Sequence, residues 1–145
     1  MTATVEDILA PGGLIARNLD TYEPRPEQLE MARAVAGAFD DSEHLLAEAG
    51  TGVGKSFAYL VPAILRVAES KQRVAVSTYT IALQEQLIHK DLPFLQEVLP
   101  MEFSAVLGKG RSNYLCLRRL AMAIQNRNRL FSTDRQLDEL AAVGE

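Results

Sequence analysis

Cysteine is almost absent from this sequence. Cys116 is the only one in 145 residues, so no disulfide can form within the chain. A reducing, cytoplasmic setting is therefore expected. No apolar run reaches the about 18 residues that a membrane-spanning helix requires, so no membrane span is expected. The opening stretch Met1-Thr2-Ala3-Thr4-Val5-Glu6-Asp7 lacks the basic n-region of a secretory signal. Internal repeats, low-complexity tracts and dividing linkers are missing as well. What is present is the material of one ordinary domain, with 48% apolar residues, enough for a real core.

Positive charge is scarce overall, and the net charge is −4. An even distribution would argue against a polyanionic partner, but the distribution is uneven. Residues 105–135 hold seven basic side chains (Lys109, Arg111, Arg118, Arg119, Arg127, Arg129, Arg135) against the single acid Asp134. The remainder carries 8 basic and 18 acidic residues. Such asymmetry marks either a local polyanion-binding surface or a solvated helix face.

Periodicity divides the chain into short elements. Val5 to Leu19 has an amphipathic helical pattern broken by Pro11-Gly12-Gly13. Pro24 and Pro26 impose an extended entry, after which Pro26 suits the first turn of a helix running through Gln28, Leu29, Met31, Ala32, Val35, Ala36 and Phe39. Asp40-Asp41-Ser42 ends it. The apolar run His44–Glu48 predicts a buried strand, as do Arg73–Ser77 and Phe103–Leu107. Phe57, Leu60, Val61, Ile64, Leu65 and Ala68 repeat at helical spacing, with Pro62 expected to kink that helix. Thr80 is a predicted N-cap for a helix through Leu83, Leu87 and Ile88, and another helical turn is expected over 94–99. Beyond Gly108 the pattern is helical and basic. The order predicts an α/β, parallel-sheet P-loop fold that is incomplete, with a helical C-terminal segment.

Between the first strand and its helix lies Ala49-Gly50-Thr51-Gly52-Val53-Gly54-Lys55-Ser56. Glycines let the backbone curl until successive N–H groups converge on phosphate oxygens, and the helix that follows adds its positive end. Lys55 is placed to reach the β- and γ-phosphates of ATP, and the Ser56 hydroxyl to ligate Mg²⁺. The pattern arises by composition alone in roughly 1% of chains of this length, and the strand and helix flanks make coincidence rarer still.

The form Ala-x-x-Gly-x-Gly-Lys-Ser resembles motif I of superfamily 2 helicases. Further stretches narrow the resemblance to the DinG/XPD-like DNA helicases. Tyr22-Glu23-x-Arg25-x-x-Gln28-x-x-Met31 is similar to their Q-motif region, and Glu48–Ser56 followed by Tyr59-Leu60-Val61-Pro62-Ala63 is similar to motif I. Ser77-Thr78-Tyr79-Thr80-x-x-Leu83-Gln84-Glu85-Gln86-Leu87 resembles motif Ia. Lys109-Gly110-Arg111-Ser112-Asn113-Tyr114-Leu115-Cys116 resembles the segment that opens an iron–sulfur domain. Residues 1–108 are thus expected to form the N-terminal part of the first motor domain, and 109–145 the start of an iron–sulfur or helical insertion.

The resemblance implies roles. Gly50, Thr51, Gly52, Val53, Gly54, Lys55 and Ser56 would hold the nucleotide. Gln28 offers one acceptor and two donors, which suit N6 and N7 of adenine; Arg25 would support it or lie near the phosphates. Thr78 and Thr80 precede a helix and would meet DNA phosphate, or simply cap. Lys109, Arg111 and Tyr114 would line a path for single-stranded or forked DNA by charge and stacking, or serve as ordinary surface. Cys116 would be an iron–sulfur ligand, yet a [4Fe–4S] cluster needs four thiolates and no cysteine follows it. Hydrolysis further needs an acidic pair on an apolar strand, written Asp-Glu-Ala-His in the family, and an arginine from a second motor domain. The late pair Asp138-Glu139 follows nothing strand-like and is rejected for that role. The full enzyme is therefore expected to be an ATP-driven DNA helicase moving 5′ to 3′. This chain is expected to be its front part, which binds nucleotide without turnover and depends on the remainder of the helicase chain. A nucleotide kinase would need an acceptor site and a lid, neither of which is evident; a non-catalytic nucleotide- or DNA-binding module is the other alternative.

Overall fold

The most apolar helical stretch of the sequence becomes the centre of the core. A computed structural model describes residues 3–19 and 21–144, which fall into two compact units divided between Leu107 and Gly108. In the first unit the elements are α1 (Val5–Leu9), α2 (Leu14–Arg17), α3 (Pro26–Asp41), α4 (Lys55–Ser70), α5 (Ile81–Gln86), a π-helical turn (Leu87–Asp91) and α6 (Leu92–Val98). Along α4, Ala58 and the unbroken run from Leu60 to Leu65 are buried. The expected kink does not interrupt this helix, which runs through Pro62 for 16 residues. The missing N–H of Pro62 costs one bond, and burial of its ring among apolar neighbours offsets the loss.

α3 packs along α4, and α1 packs against both. Ile8 and Ala32 are wholly buried, as are Ala58 and Val61 on α4. The break at residues 10–13 falls where Pro11-Gly12-Gly13 predicts it. The start of α1 is fixed by a capping box in which the Asp7 N–H donates to Thr4 Oγ1 at 3.2 Å and the Thr4 N–H donates to Asp7 Oδ2 at 2.9 Å. Those donors hold the Asp7 carboxyl below its ordinary pKa. Arg33 on α3 grips Glu6 on α1 at 2.6 Å, and the Tyr22 hydroxyl donates to Leu9 O at 2.6 Å. These two contacts fasten the entry segment and α3 to α1. Pro26 opens α3 and Ser42, at φ +57°, closes it.

Thr80 caps α5 as expected, accepting from the Leu83 N–H at 3.3 Å. The helix that follows is longer than the sequence suggests. It continues through the π-helical turn into α6, a stretch of continuous helix from Ile81 to Val98 that buries Leu87, Asp91 and Leu95. Phe94 stacks on Phe57 of α4 with ring centroids 5.7 Å apart.

The three predicted strands are not found; among the described residues none is assigned as β structure. Residues 44–48, 73–77 and 103–107 are neither helical nor laddered, and Leu46 and Val106 are 100% and 92% exposed. A strand is a property of a pair: without a hydrogen-bonded neighbour, an apolar extended segment leaves its backbone and side chains to water. Among the described residues the buried core of the first unit is consequently helical but for Leu99, which follows α6.

The second unit contains a 3₁₀ turn (Arg111–Asn113), α7 (Leu117–Gln125), α8 (Arg127–Leu130) and α9 (Asp134–Gly144), with α7 packed on both other helices. Its basic residues Arg111, Arg118, Arg119, Arg127, Arg129 and Arg135 are all exposed.

Replacing wholly buried Leu95 by alanine is expected to lower unfolding free energy by about 2–5 kcal/mol in urea denaturation, whereas exposed Leu130→Ala should cost under about 0.5 kcal/mol. The hydrogen bond from Arg33 holds the Glu6 carboxyl below its ordinary pKa. Its contribution to stability is thus present above the unfolded pKa and is lost as pH falls through the folded one. Glu6→Gln should flatten the acid limb of the stability curve; an unchanged acid limb would contradict the role of this pair.

Candidate nucleotide-binding site

The loop that precedes α4 turns at two glycines, Gly52 at φ +83° and Gly54 at φ +82°. An L side chain in this left-handed region costs roughly 1–2 kcal/mol, so the turn selects glycine. Gly54 is also the N-cap of α4. Its carbonyl accepts twice, from the Ala58 N–H at 3.2 Å and from Gln28 Nε2 at 2.9 Å. Gln28 is only 5% exposed, so α3 presents its amide inward to the end of the loop. A Cβ on Gly54 would come within 2.0 Å of Gln28 Nε2 and 3.6 Å of an Arg25 guanidinium nitrogen. The structure therefore brings Gln28, Arg25 and the loop together. An adenine contact by Gln28 would use its acceptor oxygen and its second amide hydrogen.

Lys55 is the first residue of α4. Its ammonium curls back over the loop and donates to Ala49 O at 2.9 Å and Gly50 O at 2.6 Å. A phosphate reaching the loop competes with two neutral carbonyls for that ammonium, and charge-assisted bonds favour the phosphate. Gly50, Thr51 and Gly52 are exposed, Val53 is half-buried, and all four precede the positive end of a 16-residue helix. Ser56 sits half-buried at the next helical position. Ammonium, hydroxyl, backbone donors and helix end form a donor set that fits a magnesium-bound polyphosphate.

Two further residues, to which sequence reasoning assigns no role of their own, stand out in the fold. Tyr59 is one turn beyond Ser56 on α4. Burial pushes its phenol above the usual pKa, and the Asp91 carboxylate pushes the same way. Hydrogen bonding with the Ser56 hydroxyl pulls partly back. Asp91 is 5% exposed at the end of the π-helical turn and accepts from Gln86 Nε2 at 3.1 Å. No sequence signal reveals a π turn, so only the fold shows Asp91 to be buried.

The other expected site residues lie elsewhere. Thr78 is half-buried, its hydroxyl 3.4 Å from Thr80 O, while Thr80 is exposed and engaged in capping α5. In the second unit, the Lys109 N–H donates to the Tyr114 hydroxyl at 2.8 Å and Arg111 is exposed on the 3₁₀ turn. Cys116 is exposed at the N-cap of α7. Among the described residues no group of three or more His, Cys, Asp or Glu is arranged to hold a metal, and one thiolate does not fit a [4Fe–4S] cluster. Asp138 and Glu139 lie exposed on helix α9.

Gly54→Ala would meet both a forbidden φ and the Gln28 amide. It is expected to destabilise the first unit by about 1–2 kcal/mol from backbone strain alone and to weaken binding of a non-hydrolysable ATP analogue. Unchanged melting and unchanged analogue affinity, measured together, would contradict this junction.

The sequence profile of the DEAD/DEAH box helicases matches residues 25–143. The chain is 54% identical over 100 residues to a protein of Mycobacterium tuberculosis (strain H37Rv) named ATP-dependent helicase DinG, covering 66% of this chain and 15% of that one. It is 45% identical over 114 residues to the ATP-dependent DNA helicase YoaA of Escherichia coli (strain K12), covering 79% and 17%. It is 48% identical over 96 residues to a Bacillus subtilis protein named 3'-5' exonuclease DinG, covering 66% and 10%. The chain thus spans between a tenth and about a sixth of the length of these relatives. No solved structure matches it. With a phosphate loop of this geometry inside a profile match covering most of its length, the chain belongs to the DEAD/DEAH box helicase family of P-loop NTPases.

Proposed function

We propose that the chain supplies the phosphate-gripping part of an ATP-dependent DNA helicase motor. In the longer protein, ATP hydrolysis would drive movement along single-stranded or forked DNA, in the 5′ to 3′ direction. The observation that carries this reading is the loop itself: two left-handed glycines deliver Lys55 and Ser56 to the start of a 16-residue helix. The names of the matched relatives, ATP-dependent helicase DinG and ATP-dependent DNA helicase YoaA, support the coupling of that loop to DNA.

In this reading the backbone of residues 50–54 and the Lys55 ammonium bind the phosphates, and Ser56 ligates Mg²⁺. Magnesium, when bound, neutralises charge developing between the β- and γ-phosphates. Gln28 reads the adenine edge while bracing Gly54, and Arg25 lies beside the same junction. Thr78 and Thr80 meet DNA phosphate at the start of α5. Lys109, Arg111 and Tyr114 contact the strand by charge and stacking, within a unit whose exposed arginines supply a non-specific phosphate surface. Cys116 contributes to an iron–sulfur cluster only if other thiolates come from elsewhere in the longer protein. The exposed apolar segments 44–48, 73–77 and 103–107 pair there as a parallel sheet, which would take Leu46 and Val106 out of water. Residues 1–108 then form part of the first motor domain and 109–145 the start of an insertion, in a cytoplasmic protein.

The isolated chain is expected to bind nucleotide without turnover. Its late acidic pair sits on a helix rather than on a strand beside the loop, and a second motor domain must supply the arginine. Lys55→Ala is expected to weaken binding of a non-hydrolysable ATP analogue at least about tenfold, the loss of one charge-assisted contact or more. The same substitution should abolish unwinding by the full-length protein. Normal unwinding by that variant would sink the assignment, and hydrolysis by the isolated chain would contradict the absence of its acidic pair.

A further inference from the structure

The first turn of α4 lacks the local fastenings that commonly hold a helix start. Gly54 has no side chain to cap it, and no acidic residue in the turn meets the positive end. α1 and α5, by contrast, are capped by Thr4 and Thr80. The reason is chemical. The N–H groups of the first turn must stay open for a phosphate to take them, and a capping oxygen would occupy them. An uncapped turn frays unless something holds it from the side. Of Lys55, Ser56 and Phe57, all half-buried, only Phe57 is apolar. Its ring stacks on that of Phe94, with centroids 5.7 Å apart and planes 24° from parallel. Phe94 rides on the helix that continues from Ile81 to Val98, and its neighbour Leu95 is wholly buried. Gln28 holds the Gly54 carbonyl from α3, and the ring pair holds the same turn from α6.

We propose that Phe94 is a positioning residue for the phosphate loop: stacked on Phe57, it holds the uncapped first turn of α4 in the form that grips nucleotide. The proposal rests on the reading that Lys55 and Ser56 bind the phosphates of ATP. Phe57 follows Ser56 in the chain, so its backbone cannot shift without carrying Ser56 and Lys55 with it. Side chains on a helix lean toward its N-terminus, which tips a ring at Phe57 toward the turn that leads back to the loop. An aromatic pair adds attraction beyond the area it buries and prefers particular geometries, so it fixes an angle as well as a distance. Aliphatic packing at the same place would fill the space and leave the angle free. A site already held in its bound form loses less conformational freedom when the ligand arrives. The stack thus replaces the cap that the nucleotide site forbids.

The test uses the full-length protein and the non-hydrolysable analogue AMP-PNP. Affinity is measured by calorimetry at a temperature where circular dichroism shows every variant folded. Phe94→Leu keeps an apolar side chain and removes the ring. It is expected to weaken AMP-PNP binding about two- to tenfold, the effect of losing one aromatic pair. Phe94→Tyr keeps the ring and should bind as the wild type does. Phe57→Leu breaks the same stack from the other side, and combining it with Phe94→Leu should add no further loss, because both act through one contact. If Phe94→Leu does not fold, Phe94→Met, with its adaptable unbranched chain, takes its place in each comparison. Wild-type affinity in Phe94→Leu, weakened binding in Phe94→Tyr, or additive losses in the double variant would each overturn the proposal. A wild-type protein that does not bind AMP-PNP would instead overturn the nucleotide site as a whole.

Discussion

The backbone at Gly54 has to satisfy several demands with one residue. It must reverse the chain at φ +82°, start a 16-residue helix and leave room for the amide of Gln28 arriving from α3. Its carbonyl is shared between the first helical N–H and that amide, so the loop, α3 and α4 are joined at a single oxygen. Every other feature of the site follows from this junction. Lys55 and Ser56 are aimed by the first turn of α4, the exposed glycines before them keep the mouth open, and Arg25 is carried in beside them by the start of α3.

The same helix serves as core and as site. The inner part of α4 is buried without a break from Leu60 to Leu65, and its first turn bears the two chemical side chains. A phosphate grip fixed on the most firmly packed element would limit the conformational freedom lost on binding. The Phe57–Phe94 stack and the π-helical turn then lock α6 and the end of α5 to that helix. The helix capped by Thr80 is thus mechanically continuous with the residues around Ser56.

The second unit differs in character. Its helices are short, its apolar side chains are half-buried or exposed, and its arginines face solvent. Basic side chains on a weakly buried framework suit contacts to a flexible polyanion, which require charge and reach more than a rigid shape. The acidic excess lies in the other unit, where Glu6 and Asp40 pair with Arg33 and Arg66.

Much of this was legible in the residue order because it rests on local chemistry. Proline and glycine positions set the break at residues 10–13, the start of α3 and the turn before α4; the Thr80 hydroxyl set the start of α5. Apolar periodicity found α3 and α4, and the spacing of Gly52, Gly54, Lys55 and Ser56 identified the phosphate loop, since its chemistry depends on neighbours in sequence. The three apolar segments have the pattern of strands, but a strand needs a hydrogen-bonded neighbour distant in sequence, and without that pairing Leu46 and Val106 stay in water. The π turn, the burial of Asp91 and the inward face of Gln28 were decided by tertiary packing alone. Each depends on which helix lies against which, and nothing local to those residues carries that information.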